Sequence, residues 1–225
     1  MPATIQNQLE VIPTSRLNIT TATATTNIEG NTQGAILIAP SLPLNTEIVR
    51  LGNSYVTGTA TASAVAPVAA LPTTAAHFVL WNGEPQDGTG KSYLIHRCGF
   101  TTIASAAAVI QMQLIGHLST VPVAAIPSNT AAVGIKSLSG RGTQSRASAG
   151  STVTIVNNGD WHPIGPAVLS LAATATIALG GDFDVNGVYI VPPGGIFSLA
   201  VLCSAAGGET CAHFITWSEV NIALG

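Results

Sequence analysis

Charged side chains are scarce in this sequence: Asp, Glu, Lys and Arg make up 8% of its 225 residues, where an ordinary soluble domain carries about 25%. The hydrophobic share of 47% is ordinary, so the deficit is of charge and not of polarity. Thr, Ser, Asn and Gln take the solvent-facing role that Lys and Glu usually fill, with Ala and Gly as small apolar surface between them. Such a face loses little side-chain entropy on ordering and has few charges to desolvate when another molecule covers it. The composition therefore points to self-association. Seven Lys and Arg against ten Asp and Glu give a net charge of -3, which argues against a nucleic-acid-binding protein, since such a protein normally shows a basic face. Lys136, Arg141 and Arg146 form one acid-free basic stretch, set in the Gly/Ser-rich run KSLSGRGTQSR, which reads as a solvated loop.

Three cysteines are too few for a disulfide framework. Cys203 and Cys211 flank SAAGGET, where a hairpin would let them face each other with Cys98 left over; the sequence leaves open whether they are bonded. Free, buried thiols are the expectation for a reducing compartment. No run of about 18 apolar residues exists to make a membrane-spanning helix, because VIQMQLIGHL is interrupted by Gln111, Gln113 and His117. The opening MPATIQNQLEVIP has neither a basic n-region nor an apolar h-region, so the expectation is synthesis in the cytoplasm without a secretory signal.

A 3.6-residue apolar stripe with caps is also missing, while period-two alternation and β-branched enrichment recur from end to end. The expected fold is all-β. Expected strands are TIQNQLEVI, LNITTATATTNI, GAILIA, TEIVRL, SYVTGTAT, HFVLWN, SYLIHRCGF, VIQMQLIGHL, STVTIV, a short run around ATIALG, GVYIV, IFSLAVLC and CAHFITWSEV. Asn82-Gly83, Asn158-Gly159 and Asn186-Gly187 mark turns because both residue types tolerate positive φ, and Pro192-Pro193-Gly194-Gly195 marks a tight connection before a strand. Many short strands at this spacing suggest a β-sandwich or jelly roll. Residues 1–75, rich in Thr and Ala, read as an N-terminal β-rich arm or first strands, and 76–225 as the jelly-roll sandwich.

The chemistry-bearing motifs are incomplete. Gly90-Lys91-Ser92 matches the end of a phosphate loop, but position 85 is Pro85 and SYLIHRCGF reads as a strand, not a helix. Asp182-Phe183-Asp184-Val185-Asn186-Gly187 matches the first half of a calcium loop, but Pro193 stands where the bidentate carboxylate belongs, and an ordinary hairpin turn is expected. His96 with Cys98, and Cys211 with His213, share strand faces without the paired spacing of a zinc site. His77, His96, His117, His162 and His213 come with no nucleophile elbow. Glu84 with Asp87, and Asp182 with Asp184, are the nearest carboxylate pairs and lie in expected turns. Trp81, Trp161 and Trp217 suit rings anchoring the rim of a sandwich. No catalytic, cofactor-binding or metal-ligating residue is nominated, and no enzyme activity is expected.

The closing stretch NGVYIVPPGGIFSLAVLCSAAGGETCAHFITWSEV, about a sixth of the chain, resembles the ends of jelly-roll virion proteins of tailed bacteriophages, of the decoration, cement or fibre type. Its Pro-Pro-Gly turn leads into paired strands that finish in Trp217-Ser218-Glu219. The resemblance implies a homo-oligomeric, trimer-forming or shell-contacting subunit of a virion that contacts itself and other virion proteins, without direct contact to nucleic acid or membrane. It carries over no catalytic residue. The alternative expectation is a carbohydrate- or receptor-binding β-sandwich module, which needs exposed aromatic platforms.

Overall fold

The computed structural model describes residues 16–21, 24–29, 49, 52–59, 64–104, 110–119, 121–127, 131–139, 145–155, 160–170, 180–204 and 209–221. TIQNQLEVI, GAILIA, Arg141 and the Asn158-Gly159 dipeptide lie outside these residues. The chain forms two compact units, Met1–Glu47 and Ile48–Gly225. In the first, β1 (Arg16–Thr21) and β2 (Ala24–Glu29) pair antiparallel from Arg16↔Glu29 to Thr21↔Ala24. LNITTATATTNI is thus a hairpin and not the single strand its uniform alternation suggests.

Among the described residues the second unit holds thirteen strands in two antiparallel sheets. In chain order they are β3 (Ser54–Gly58), β4 (Ala75–Trp81), β5 (Ser92–Ala104), β6 (Ile110–Ser119), β7 (Ala131–Val133), β8 (Ile135–Ser137), β9 (Ser148–Thr154), β10 (His162–Pro163), β11 (Val168–Ser170), β12 (Gly180–Asp184), β13 (Ile190–Val191), β14 (Ile196–Cys203) and β15 (Thr210–Val220). The seven-stranded sheet runs β10-β6-β14-β4-β9-β7, with β11 also on β6. The six-stranded sheet runs β12-β5-β15-β3-β8, with β13 also on β5. Residues 54–58, grouped by sequence with the N-terminal segment, are therefore an inner strand of the larger unit.

Side chains from both sheets meet in one core, which makes the unit a β-sandwich. β15 supplies Cys211, His213, Ile215 and Trp217 inward while Ala212, Phe214 and Thr216 stay half-exposed, as a period-two strand with one covered face should. β14 is buried along nearly its whole length, with Phe197, Leu199 and Val201 in the core and Ser198 and Ala200 covered on the other side. That explains why IFSLAVLC reads as a continuous apolar run. Trp217, expected at a rim, is instead in the middle of the core, its ring stacked 5.7 Å from Tyr55 and tilted 6.0 Å from Tyr93. A second, smaller cluster of Ala76, Val79, Val153 and Ile196 packs with Trp81, Trp161, Val123 and Ile126.

One local irregularity sets which residues face inward. Ala149 lies in the main core and Val153 in the smaller cluster, although residues of the same parity share one face of a regular strand. Thr152, between them, has φ 54°, and this left-handed residue reverses the alternation. On the paired strand β4, His77 and Phe78 both approach the ring of His213 while Ala76 joins the smaller cluster.

The turns differ in how far they follow their dipeptides. Gly194 has φ 77° and the Gly195 amide donates to the Pro192 carbonyl at 2.8 Å, the type II turn that Pro-Pro-Gly encodes. Asn186 and Gly187 have φ 46° and 77°, and Val188 N–H closes the turn on Val185 at 2.9 Å. Yet β12 and β13 run in the same direction along β5, so this turn is an excursion within one edge strand and not a hairpin. The cause lies in β5, where the β15 register shifts at Thr216/Trp217 and leaves His96 unpaired. The His96 carbonyl accepts the amides of Val185 and Asn186 at 2.7 and 3.1 Å. Asn82 and Gly83 keep negative φ, and their role is a different one.

Candidate functional site

Asn82 is fully buried and serves as a knot. Its Nδ2 donates to the carbonyls of Lys91 and Val191, both at 2.9 Å, and its Oδ1 accepts the Glu84 amide at 3.0 Å. Its backbone exchanges hydrogen bonds with Gly194 and Gly195 at 2.8 and 3.0 Å. One amide side chain thus ties the β4–β5 connection to the Pro-Pro-Gly turn. Gly83 is required because a Cβ there would meet the Arg146 carbonyl and the Trp81 ring. The phosphate-loop reading fails in the structure as it does in the sequence: Ser92 opens β5, not a helix.

Beside this knot the Lys91 ammonium sits 3.3 Å from Glu219, whose side chain is 1% exposed. Glu219 lies opposite Tyr93 in the β15–β5 register, and both face inward. Burial pushes the Glu219 carboxyl above its ordinary value, with the Ser145 hydroxyl and Lys91 pulling the other way. Burial followed by the Glu219 charge raises the Tyr93 phenol. One cation on one oxygen holds the carboxylate in place, a buried pair that specifies geometry more than it adds stability.

On the opposite face of β15, His96 Nε2 lies 2.6 Å from Ser218 Oγ, which lies 2.9 Å from Ser54 Oγ. A histidine beside a serine is the start of a nucleophilic site, but Ser218 has no solvent exposure and Ser54 2%. No substrate reaches either hydroxyl. At the sheet edge, the Arg97 guanidinium pairs with Asp182 and with Asp184, Nε lying 3.2 and 3.1 Å from their carboxylates. The carboxylates that a calcium loop would need are engaged by a cation, and the hexapeptide works as an edge-strand excursion. Lys136 lies on the edge strand β8 and not in a loop; Arg146 is exposed.

The remaining histidines are dispersed. His117, 1% exposed, lies 5.4 Å from the Trp161 ring with neither ring nitrogen hydrogen-bonded. His162 pairs in register with Gly116, so it occupies the other face of the sheet, where its Nε2 meets the Tyr189 hydroxyl at 2.6 Å. His77 and His213 meet in the core at 5.6 Å. Of Glu84 and Asp87, the Glu84 charge acts on Tyr93 and Glu219, while Asp87 Oδ1 accepts the Thr89 hydroxyl at 2.6 Å. Sequence reasoning placed Asn82 and Glu219 only as a turn residue and a strand terminus; the partners that give them roles come from segments it could not bring together.

All three thiols are buried, and Cys98 and Cys211 are free. Cys203 and Cys211 belong to strands of different sheets, so the two strands do not form a hairpin with each other. Burial pushes the Cys98 and Cys211 thiols up to about 12, which removes the thiolate that a nucleophile or metal ligand needs. Among the described residues no three His, Cys, Asp or Glu side chains gather as a metal centre. A depression of about 190 Å3 lined by Gln111, Gln113, Ala167, Leu202, Cys203 and Ser204 is smaller than the roughly 300–1,000 Å3 of small-molecule sites. Comparison with family models, with characterised proteins and with solved structures finds no match to this chain.

Proposed function

We propose that this chain is a virion structural subunit: a jelly roll that assembles with copies of itself to coat, cement or decorate a capsid or to build a fibre. The strand order carries the reading. Taking β10 with β11 and β12 with β13, four strands follow β12-β5-β15-β3 in one sheet and four follow β10-β6-β14-β4 in the other. The pairs β3 and β4, β5 and β6, β11 and β12, and β14 and β15 each cross from sheet to sheet. Eight strands so wound are the two Greek keys of a jelly roll, the architecture of many capsid and lectin domains. The inserted strands β8 and β9 extend both sheets on the same side, one on β3 and the other on β4.

A fold alone does not give a function, and two further features favour assembly. The 8% charge content leaves surfaces that are cheap to cover. The outermost strands are blunted: β7 and β8 have three residues each, β10 has two including Pro163, and β12 carries Asp182 and Asp184. Blunted edges prevent open-ended strand addition, so subunits would meet through faces, loops and the N-terminal segment. The closing stretch, with its likeness to tailed-phage virion proteins, suggests a homotrimer among other virion proteins, without nucleic-acid or membrane contact. The binding-module reading is less favoured, because Trp81 and Trp161 pack on the small outer cluster with their indole N–H groups buried, where a sugar platform needs an open ring face.

Size-exclusion chromatography with light scattering tests the proposal on the full chain and on a chain lacking residues 1–20. Masses at a multiple of 22.7 kDa are expected for the full chain, with a smaller or less stable assembly after truncation. An unchanged assembly would remove the arm, and a stable monomer at every concentration would remove the proposal.

A further inference from the structure

We propose that the buried His77–His213 pair is an acid-triggered latch that holds the two sheets together when neutral and releases them when protonated. The rings meet edge to face at 5.6 Å, and His213 also stacks 6.3 Å from Phe78. His77 is 4% exposed and His213 2%. His77 Nδ1 accepts the Val201 amide of β14 at 3.1 Å, just past Leu199↔Phe78, the last pair of the β14–β4 ladder. The imidazole thus replaces a backbone acceptor, and only the tautomer with its proton on Nε2 does so. His77 Nε2 and both His213 nitrogens have no hydrogen-bond partner.

The latch sits where the sandwich is stitched. Val65 exchanges backbone hydrogen bonds with Cys211 of β15 at 2.8 and 3.0 Å, and three residues later Val68 accepts from Cys203 at 2.8 Å and donates to Val201 of β14 at 3.0 Å. Val65 to Val68 therefore spans from one sheet to the other beside both rings. The Thr152 inversion brings His77 to this place, since regular alternation would set it on the face opposite Phe78. A left-handed threonine costs about 1–2 kcal/mol, so the arrangement is maintained against local strain.

No carboxylate is hydrogen-bonded to either ring. β15 contributes Cys211 on the same face; Glu209, buried with both carboxylate oxygens unpaired, lies just before that strand; β14 contributes Cys203; β9 contributes Ser151 and Thr152; the stitching segment is apolar. Burial acts on His77 alone, and on His213 burial acts first and His77 second, which holds them down to about 4 and about 3. Protonating His77 on Nδ1 removes the acceptor of the Val201 amide, and a second proton places two cations in one dry site.

The sign follows from linkage. Both folded values lie below the ordinary 6.5, so the unfolded chain binds more protons and stability falls as pH drops from about 6.5 towards 4. Glu219, raised by burial, contributes in the opposite direction, and His96 and His117, lowered by burial, in the same one, so a comparison that changes only His77 and His213 isolates the latch. His77→Asn keeps an acceptor near the Nδ1 position, and His213→Phe keeps a ring.

The test measures urea stability and amide exchange between pH 7 and 4.5 for the full chain and for the double variant H77N/H213F. In the parent, the unfolded population should rise roughly tenfold or more per ring over this window, with exchange rising first at Val65, Val201, Cys203 and Cys211. The double variant should lose the share of that dependence that His77 and His213 supply and keep the smaller share of His96 and His117. Equal pH slopes in both proteins would overturn the latch. Ring-proton NMR of the parent gives a reading that needs no variant to fold: titration of either ring near 6.5 in the folded protein also overturns it.

Discussion

Replacing Asn82 is the sharpest probe of how this sandwich is tied together. Asn82→Ala removes three side-chain hydrogen bonds, those to the Lys91 and Val191 carbonyls and from the Glu84 amide. At about 1 kcal/mol net for each, with an added penalty where the buried Val191 carbonyl is left unpaired, the loss is about 3–5 kcal/mol. For a unit of this size that corresponds to a fall of roughly 6–20 °C in Tm. Asn82→Asp preserves volume but points an oxygen at two carbonyls, so its loss at neutral pH should equal or exceed that of alanine. Urea unfolding with thermal melts reads both. A loss below about 1 kcal/mol for alanine, or an aspartate variant as stable as the parent, would refute the view that this amide joins the β4–β5 connection to the Pro-Pro-Gly turn.

Gly194→Ala should destabilise by about 1–3 kcal/mol in the same assay, because φ is 77° and the new Cβ would meet Gln86 and Pro122. Cys98, Cys203 and Cys211 should resist a thiol reagent in the native protein and react together in denaturant; rapid native labelling of Cys211 would contradict its burial. Arg97→Ala should cost less than about 1 kcal/mol, since its side chain is 50% exposed, while leaving Asp182 and Asp184 facing each other at the edge; isothermal titration with calcium then checks whether the freed carboxylates bind it weakly.

Legibility in the sequence followed strand length and local encoding. Ile196–Cys203 was readable as a continuous apolar run and the strand that ends at Val220 by its β-branched and aromatic residues, each over eight or more positions. β7, β8, β10, β11 and β12 were not, being two to five residues long and including His-Pro and Gly-Gly-Asp segments that become strands only by pairing with β3, β5, β6 or β9. The Asn186-Gly187 turn was legible because positive φ is intrinsic to those residues. Its setting was not, since it answers a bulge at His96, ninety residues earlier by sequence numbering. Asn82 carries the same dipeptide signal, but burial against β5 and the Pro-Pro-Gly turn decides its use. The pairing of His77 with His213 depends on an inversion at Thr152 that no local pattern announces.

Sedimentation velocity over rising concentration, in low and in high salt, addresses self-coverage by a charge-poor surface most directly. Contacts made by small apolar and Thr-rich faces are little screened, so species heavier than the 22.7 kDa chain should persist as salt rises to about 1 M. A lone 22.7 kDa boundary at every concentration, or assemblies that dissolve with salt, would contradict it.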